Sequence, residues 1–131
     1  MLFRICTSLA AAAAVLAVAS PAVAGPTPGP AAGSRLTLTR VADAGGGAAA
    51  VKLTCDPDGG GHPDPVRACA QLTRVGANPA RLKAADRYCF LLYKPVTARL
   101  SGVWRGRTVK WAHTYGNSCE MNRATGVLFD F

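Results

Sequence analysis

Histidine, serine and acidic side chains are scarce in this chain of 131 residues, which carries two histidines and seven Asp or Glu. Beyond residue 24 the histidines are His62 and His113, and the serines are Ser34, Ser101 and Ser118. A hydrolytic triad needs a nucleophile bonded to a base, with an orienting acid behind it. No strained nucleophile turn surrounds any of these serines, so the sequence argues against a hydrolase and against an enzyme. The length allows one domain and excludes a multi-domain enzyme. No internal repeat is present. The 15 Lys and Arg outnumber the acids, giving a net charge of +8. They are scattered, with no dense run and no aromatic RNA-binding motif, so they read as a solvated basic surface and not as a nucleic-acid site.

What is present begins with an address label. Arg4 supplies a short positive region, and Ile5 to Ala19 is an apolar run too short to span a bilayer with ordinary flanks. Ala22-Val23-Ala24 is a small-x-small cleavage signal, so residues 1–24 read as a signal peptide cut after Ala24. No stop-transfer pattern follows, and the mature chain is expected outside the cell with no membrane attachment. Residues 25–34 begin with a Pro/Gly/Ala stretch and read as a flexible arm. Residues 35–131 form the domain.

Cleavage removes Cys6 and leaves Cys55, Cys69, Cys89 and Cys119. Four cysteines in a small exported chain read as two disulfides. Three pairings are open, and joining near neighbours is the simplest. Loops of about 15 and about 31 residues closed in that way are worth roughly 3 and 3.7 kcal/mol on the chain-entropy model. Cys55, His62 and Cys69 can also be drawn together as zinc ligands. The chain has no CxxC pair, and exported cysteines favour disulfides, so no metal and no cofactor is expected. His62 then reads as a loop residue bonded to backbone.

The domain alternates in places and breaks in others. Leu36, Leu38 and Val41 alternate with threonines, and Ala50 to Cys55 alternates again, so the two form a hairpin. Asp56 to Pro63 is a loop rich in breakers. Asp64 before Pro65 marks a helix start, and Gly76 marks its end. Asn78 to Ala84 suits one further helical turn. Val96 to Val103 and Thr108 to Tyr115 read as strands around a tight turn at Trp104-Arg105-Gly106. Cys119 to Ala124 suits one helical turn, and Gly126 to Phe131 alternates as a final strand. The expected fold is α+β: a five-stranded antiparallel sheet, two short helices and two disulfides.

The run Tyr88-Cys89-Phe90-Leu91-Leu92-Tyr93 is the informative segment. Periodicity alone makes it a buried strand. Cys89 pins one end covalently, however, and Pro95 stiffens the other. Apolar residues held in this way also suit an exposed, extended binding loop. A protease cleft takes such a loop as an added strand, with side-chain pockets supplying specificity. Little entropy is lost if the loop is already held in the bound shape. If it is cut, both new ends stay tethered and resealing competes with release.

Two stretches, Cys55-Asp56-Pro57-Asp58-Gly59-Gly60-Gly61-His62-Pro63 and Ala68-Cys69-Ala70-Gln71-Leu72, resemble the signature of the Streptomyces subtilisin inhibitor family. Tyr93-Lys94-Pro95-Val96, Gly102-Val103-Trp104-Arg105-Gly106, Asn117-Ser118-Cys119-Glu120-Met121-Asn122 and Val127-Leu128-Phe129-Asp130-Phe131 follow in the family's order. The resemblance implies a five-stranded sheet, pairing of Cys55 with Cys69 and of Cys89 with Cys119, and inhibition of secreted serine proteases by a substrate-like loop. Homodimers that pair through their sheets are also implied.

Carried onto this chain, the reactive bond is Leu91–Leu92. Leu91 is then P1, Leu92 P1′, Phe90 P2, Cys89 P3 and Tyr88 P4, with Tyr93 and Lys94 on the primed side. Asn117 matches an asparagine that hydrogen-bonds the loop. An unbranched apolar P1 suits the S1 pocket of subtilisin-like or chymotrypsin-like enzymes and gives no charge to a trypsin-like one. Lys94 is discounted as P1 because it precedes Pro95. Two departures from the family bear on affinity: Lys94 stands where an acid is frequent, and Phe90 is bulky for P2. They motivate a second reading, an exported binding module on the same scaffold without tight inhibition. A third, an added site against a metalloprotease, has no zinc-directed motif behind it.

Overall fold

The computed structural model describes residues 33–131, together with 13–14, 17–23 and 25. Most of the signal-peptide and arm readings therefore fall on residues outside those described. The domain starts with β1 (Ser34–Ala42), β2 (Ala48–Cys55), the two-residue β3 (Gly59–Gly60) and helix α1 (Pro65–Val75). A 3₁₀ turn at Pro79–Arg81 follows, then β4 (Val96–Trp104), β5 (Arg107–Tyr115) and helix α2 (Ser118–Thr125). Ser34, the last residue of the expected arm, is thus already in the sheet.

All strand pairs are antiparallel, in the order β3-β2-β1-β4-β5. Side chains alternate between faces along each strand. Leu36, Leu38, Leu53, Ala98, Leu100 and Trp104 point inward and are buried. Leu38 lies opposite Val51 on one side and Leu100 on the other, at the middle of the core. The register requires a glycine at position 102, where φ is 141° and a Cβ would strike the Arg35 carbonyl of β1. The Arg105-Gly106 turn has positive φ at both residues, 47° and 82°, which matches the twist of a two-residue hairpin.

Helix α1 starts and stops where its residue types dictate. The Asp64 carboxylate accepts from the Arg67 N–H at 3.2 Å, and Pro65 occupies the first turn. Gly76 closes the helix in the left-handed region, φ 61°. The Asp64 N-cap is worth about 1 kcal/mol. Ala68, Cys69 and Leu72 form its buried face. Cys55–Cys69 ties this helix to the end of β2, and Cys89–Cys119 ties the 82–95 segment to α2. The near-neighbour pairing is the one present.

Three expectations need correction. The segment from Gly126 to Phe131 is not a strand. It turns back after α2, with Leu128 N–H donating to Thr125 O and Asp130 N–H to Val127 O, both at 3.2 Å. Leu128 and Phe129 are both fully buried, which an alternating strand cannot achieve. The fifth strand is instead Gly59–Gly60, inside the stretch read as a loop, where Leu53 pairs with Gly60 and Thr54 with Gly59. Helix α2 runs eight residues, about two turns, and not one.

His62 explains the first correction. It is 4% exposed, and its Nε2 lies 3.1 Å from both Val127 O and Leu128 O, while Nδ1 accepts from the Asp64 N–H at 2.9 Å. This pattern puts the ring proton on Nε2. One imidazole thus ties the chain's last segment to the start of α1 and satisfies carbonyls that no strand partner reaches. Its loss would leave the Leu128 carbonyl and the Asp64 N–H without these partners, at about 1–3 kcal/mol each, while Val127 O keeps the Asp130 N–H. The zinc reading fails at the same place, because Cys55 and Cys69 are bonded to each other and His62 faces backbone.

Candidate functional site

The segment from Tyr88 to Lys94 pairs with no strand and stands out from the core. Leu91 is 100% exposed, and Tyr88, Phe90 and Tyr93 are at least 80% exposed. The buried-strand reading of this run is therefore incorrect. Exposed apolar residues in such a contiguous run mark an interaction site. Cys89 is the exception within the run: it is buried, as its bond to Cys119 requires.

A single support, the Gly116–Cys119 junction between β5 and α2, holds the loop from behind. The disulfide fixes the N-terminal side, with Cys89 and Cys119 Cα atoms 5.8 Å apart. The Lys94 N–H donates to Gly116 O at 2.8 Å and fixes the C-terminal side. Asn117 works between these anchors. It is 8% exposed, and its Nδ2 donates to Phe90 O at 3.2 Å and to Leu92 O at 2.8 Å. Its Oδ1 accepts from the Glu120 N–H at 2.8 Å, so the same side chain caps α2. The amide thus grips the carbonyl on each side of Leu91. The Leu92 N–H donates to Phe90 O at 2.9 Å, which bends the chain and lifts Leu91 to the apex.

The outer end is held as well. Pro95 O accepts from the Asp43 N–H at 3.1 Å, tying the loop's exit to the β1–β2 turn. Tyr88 and Phe90 pack edge to face, with ring centroids 5.8 Å apart. This leaves the two rings on the same side of the loop, preordered before any partner arrives. Segment 88–93 carries no charge, and Arg87 and Lys94 flank it. Burial raises the phenol of Tyr115, one residue before the support, so it stays neutral at ordinary pH.

The residues singled out by sequence at this site are thus brought together: Tyr88, Cys89, Phe90, Leu91, Leu92, Tyr93 and Lys94 in one loop, with Pro95, Asn117 and Cys119 around it. Gly116 and Asp43 were missed. Both act through backbone groups, which leave no side-chain signal in a sequence.

A small disulfide-stapled scaffold that holds a braced apolar segment out to solvent offers a strand, not a pocket. It belongs to the class of proteins that present a peptide to a partner's cleft. The chain is a member of the subtilisin inhibitor-like family, whose sequence model matches residues 30–117. It is 43% identical over 86 residues to subtilisin inhibitor-like protein 1 of Streptomyces cacaoi, covering 63% of this chain and 78% of that protein. It is 48% identical over 84 residues to subtilisin inhibitor-like protein 4 of Streptomyces lavendulae, covering 63% and 72%. With trypsin inhibitor STI2 of Streptomyces longisporus it shares 39% identity over 137 residues, covering 91% and 95%. Among solved structures it resembles sermetstatin of Streptomyces caespitosus, determined in complex with Bacillus licheniformis subtilisin. That match has a TM-score of 0.64 and 26% identity, and covers 76% of this chain and all of the other.

Proposed function

We propose that the protein is a secreted inhibitor of subtilisin-like serine proteases, with chymotrypsin-like enzymes as a second target class, and that it acts through the bond Leu91–Leu92. The observation that carries the reading is the grip of Asn117 on the carbonyls either side of a fully exposed Leu91. Leu91 enters S1, Phe90 and Tyr88 occupy S2 and S4, and the loop backbone adds a strand to the protease cleft. Preordering limits the entropy lost on docking. After cleavage the two ends stay tethered by Cys89–Cys119 on one side and by Lys94 and Pro95 on the other. The protein acts as a substrate that does not leave, and not as a catalyst. Its basic balance favours a protease with an acidic rim and speeds association at low salt.

The test is a titration of the mature protein against subtilisin, chymotrypsin and trypsin, with mass analysis of each mixture. Stoichiometric loss of subtilisin activity with trypsin spared is the expected result. Cleavage into fragments without inhibition would favour the binding-module reading.

Secretion is the second part of the proposal. It is supported by the leader sequence and by two disulfides, which persist in oxidising compartments. Among the described residues no helix is long and apolar enough to cross a membrane. The exported chain is expected to begin at Gly25, which N-terminal sequencing of the culture medium reads directly. Pairing of two copies is a third part, through the open face of the sheet. Arg35, Lys52, Arg99 and Lys110 share that face and are exposed, so such pairing depends on salt.

A further inference from the structure

The inner face of β1 carries one charged side chain, which the bracing of the loop does not use. Leu36 and Leu38 point into the core, and the same alternation sends Arg40 inward. Its neighbours across the sheet are Ala49 on β2 and Ala98 on β4, small enough to leave room for its stem. The guanidinium lies over the Phe131 ring, 5.5 Å from the centroid. Its Nε is buried and has no hydrogen-bond partner among the described residues. Arg40 is in no ion pair among them, and the terminal carboxylate is no exception. It lines a cleft of about 320 Å³ between the β1–β2 hairpin and the primed half of the loop. Lys94 and Ser118 line the same cleft, and both are exposed. Lys94 is also outside every ion pair among the described residues. No Asp or Glu borders the space, so two cations and a hydroxyl meet there with no counter-charge. Asn117 borders it too, but both ends of its amide are engaged elsewhere. The remaining walls are apolar: Leu92 and Val96 on one side, alanines and glycines of the hairpin on the other.

We infer that this cleft binds a small aliphatic carboxylate, its charged end on Arg40, Lys94 and Ser118 and its tail against Leu92, Val96 and Ala49. A guanidinium with a free Nε offers the two-pronged edge that a carboxylate fits bidentately. The walls narrow the ligand further. An inorganic anion leaves the apolar side unfilled, and an uncharged ligand leaves the buried donor without the partner it needs. The volume is at the small end of ligand sites and admits a tail of about six carbons. The donors come from β1, from the loop's exit and from the start of α2, so a bound carboxylate bridges them. It ties the primed half of the loop to the sheet, beside the existing bonds of the Lys94 N–H and Pro95 O. Ligand and protease should therefore favour each other's binding. That coupling rests on the inhibitor reading, whereas the binding itself does not.

Free fatty acids and the C-termini of apolar peptides share this chemistry, so hexanoate and acetyl-leucine are each titrated into the mature protein by calorimetry. The better of the two should bind with a Kd of about 1 mM or below, and it names the source. Hexanamide lacks the charge and sulfate lacks the tail, and both should bind about tenfold or more weakly than the better acid. Arg40→Met should weaken binding about tenfold and Lys94→Met about threefold. A thermal melt shows whether Arg40→Met still folds, and Lys94→Met, at an exposed position, carries the test if it does not. Lys83→Met, outside the cleft, should bind as the parent does. In complex with subtilisin, saturating ligand should slow hydrolysis of the loop-cut form about threefold or more. No binding of either acid at about 10 mM, equal binding of sulfate or hexanamide, or losses in the Arg40 and Lys94 variants no larger than in Lys83→Met would overturn the site. Binding by a protein that fails to inhibit subtilisin would leave the site standing and remove only the loop reading. Unchanged hydrolysis at saturation would overturn the coupling.

Discussion

Replacing Leu91 with lysine is expected to turn the inhibitor toward trypsin-like enzymes. Inhibition of trypsin should strengthen by about 10³-fold, and that of subtilisin should weaken by at least tenfold. The reason is the position of the side chain. Leu91 is fully exposed at the apex and touches no part of the core, so the free protein does not register the change. Its unfolding midpoint should stay within the range of a neutral surface substitution, about 0.5 kcal/mol. The complex registers all of it. A P1 side chain is the buried anchor of such an interface, and anchors carry about 2–4 kcal/mol or more each. An ammonium placed against the carboxylate of a trypsin-like S1 pocket gains such an amount, while in an apolar S1 pocket it is a desolvated charge. Inhibition constants for the parent and the variant against both proteases check it. A variant that kept its subtilisin preference and gained nothing against trypsin would place the reactive bond elsewhere. Lys94 does not confuse the result, since it precedes Pro95 and its N–H is held by Gly116 O.

Much of this architecture was legible because it is written in local rules. The strands on either side of Asp43–Gly47 and of Arg105–Gly106 alternate, and the turns between them carry glycines at positive φ, Gly45, Gly47 and Gly106. Asp64, Pro65 and Gly76 bracket α1 as capping chemistry requires. The illegible parts depend on distant partners. Val127, Phe129 and Phe131 alternate in sequence, but the segment's carbonyls are taken by His62, 65 and 66 residues away, and no strand is left to pair with. Gly59–Gly60 has no β-propensity and is a strand only because β2 offers it an edge. The loop was the reverse case. Its apolar run reads as core by pattern, and only its two covalent and conformational anchors, Cys89 and Pro95, say otherwise. The grip of Asn117 rested on resemblance alone, because a bond spanning 25 to 27 residues leaves no local trace.

Asn117→Asp should leave the fold intact and convert the inhibitor toward a substrate. In the parent, Oδ1 caps α2 through the Glu120 N–H, and Nδ2 donates to Phe90 O and Leu92 O. Aspartate caps a helix as well as asparagine does, so the first function survives. The second is lost outright, because an ionised carboxylate has no proton to give and now faces two carbonyl oxygens. Two hydrogen bonds at about 1 kcal/mol each amount to about 2 kcal/mol of loop positioning. The cut form should then open and hydrolyse about 30-fold faster than in the parent. Asn117→Ala is the informative partner. It loses the cap too, so its thermal stability should fall by about 1 kcal/mol at every pH, where the loss in the aspartate variant comes from the buried charge and shrinks as acid neutralises it. Acid adds a second check. Below the pKa of the introduced carboxyl the group regains one O–H donor, so temporary inhibition by the Asp variant should lengthen as pH falls, and the Ala variant should show no such rescue. Mass spectrometry of the loop-cut species over time, at two pH values and for both variants, reads the hydrolysis and its acid rescue, and thermal unfolding of the same variants reads the cap. Equal hydrolysis by parent and Asp variant would show that the disulfide and the Lys94–Gly116 bond hold the loop without Asn117.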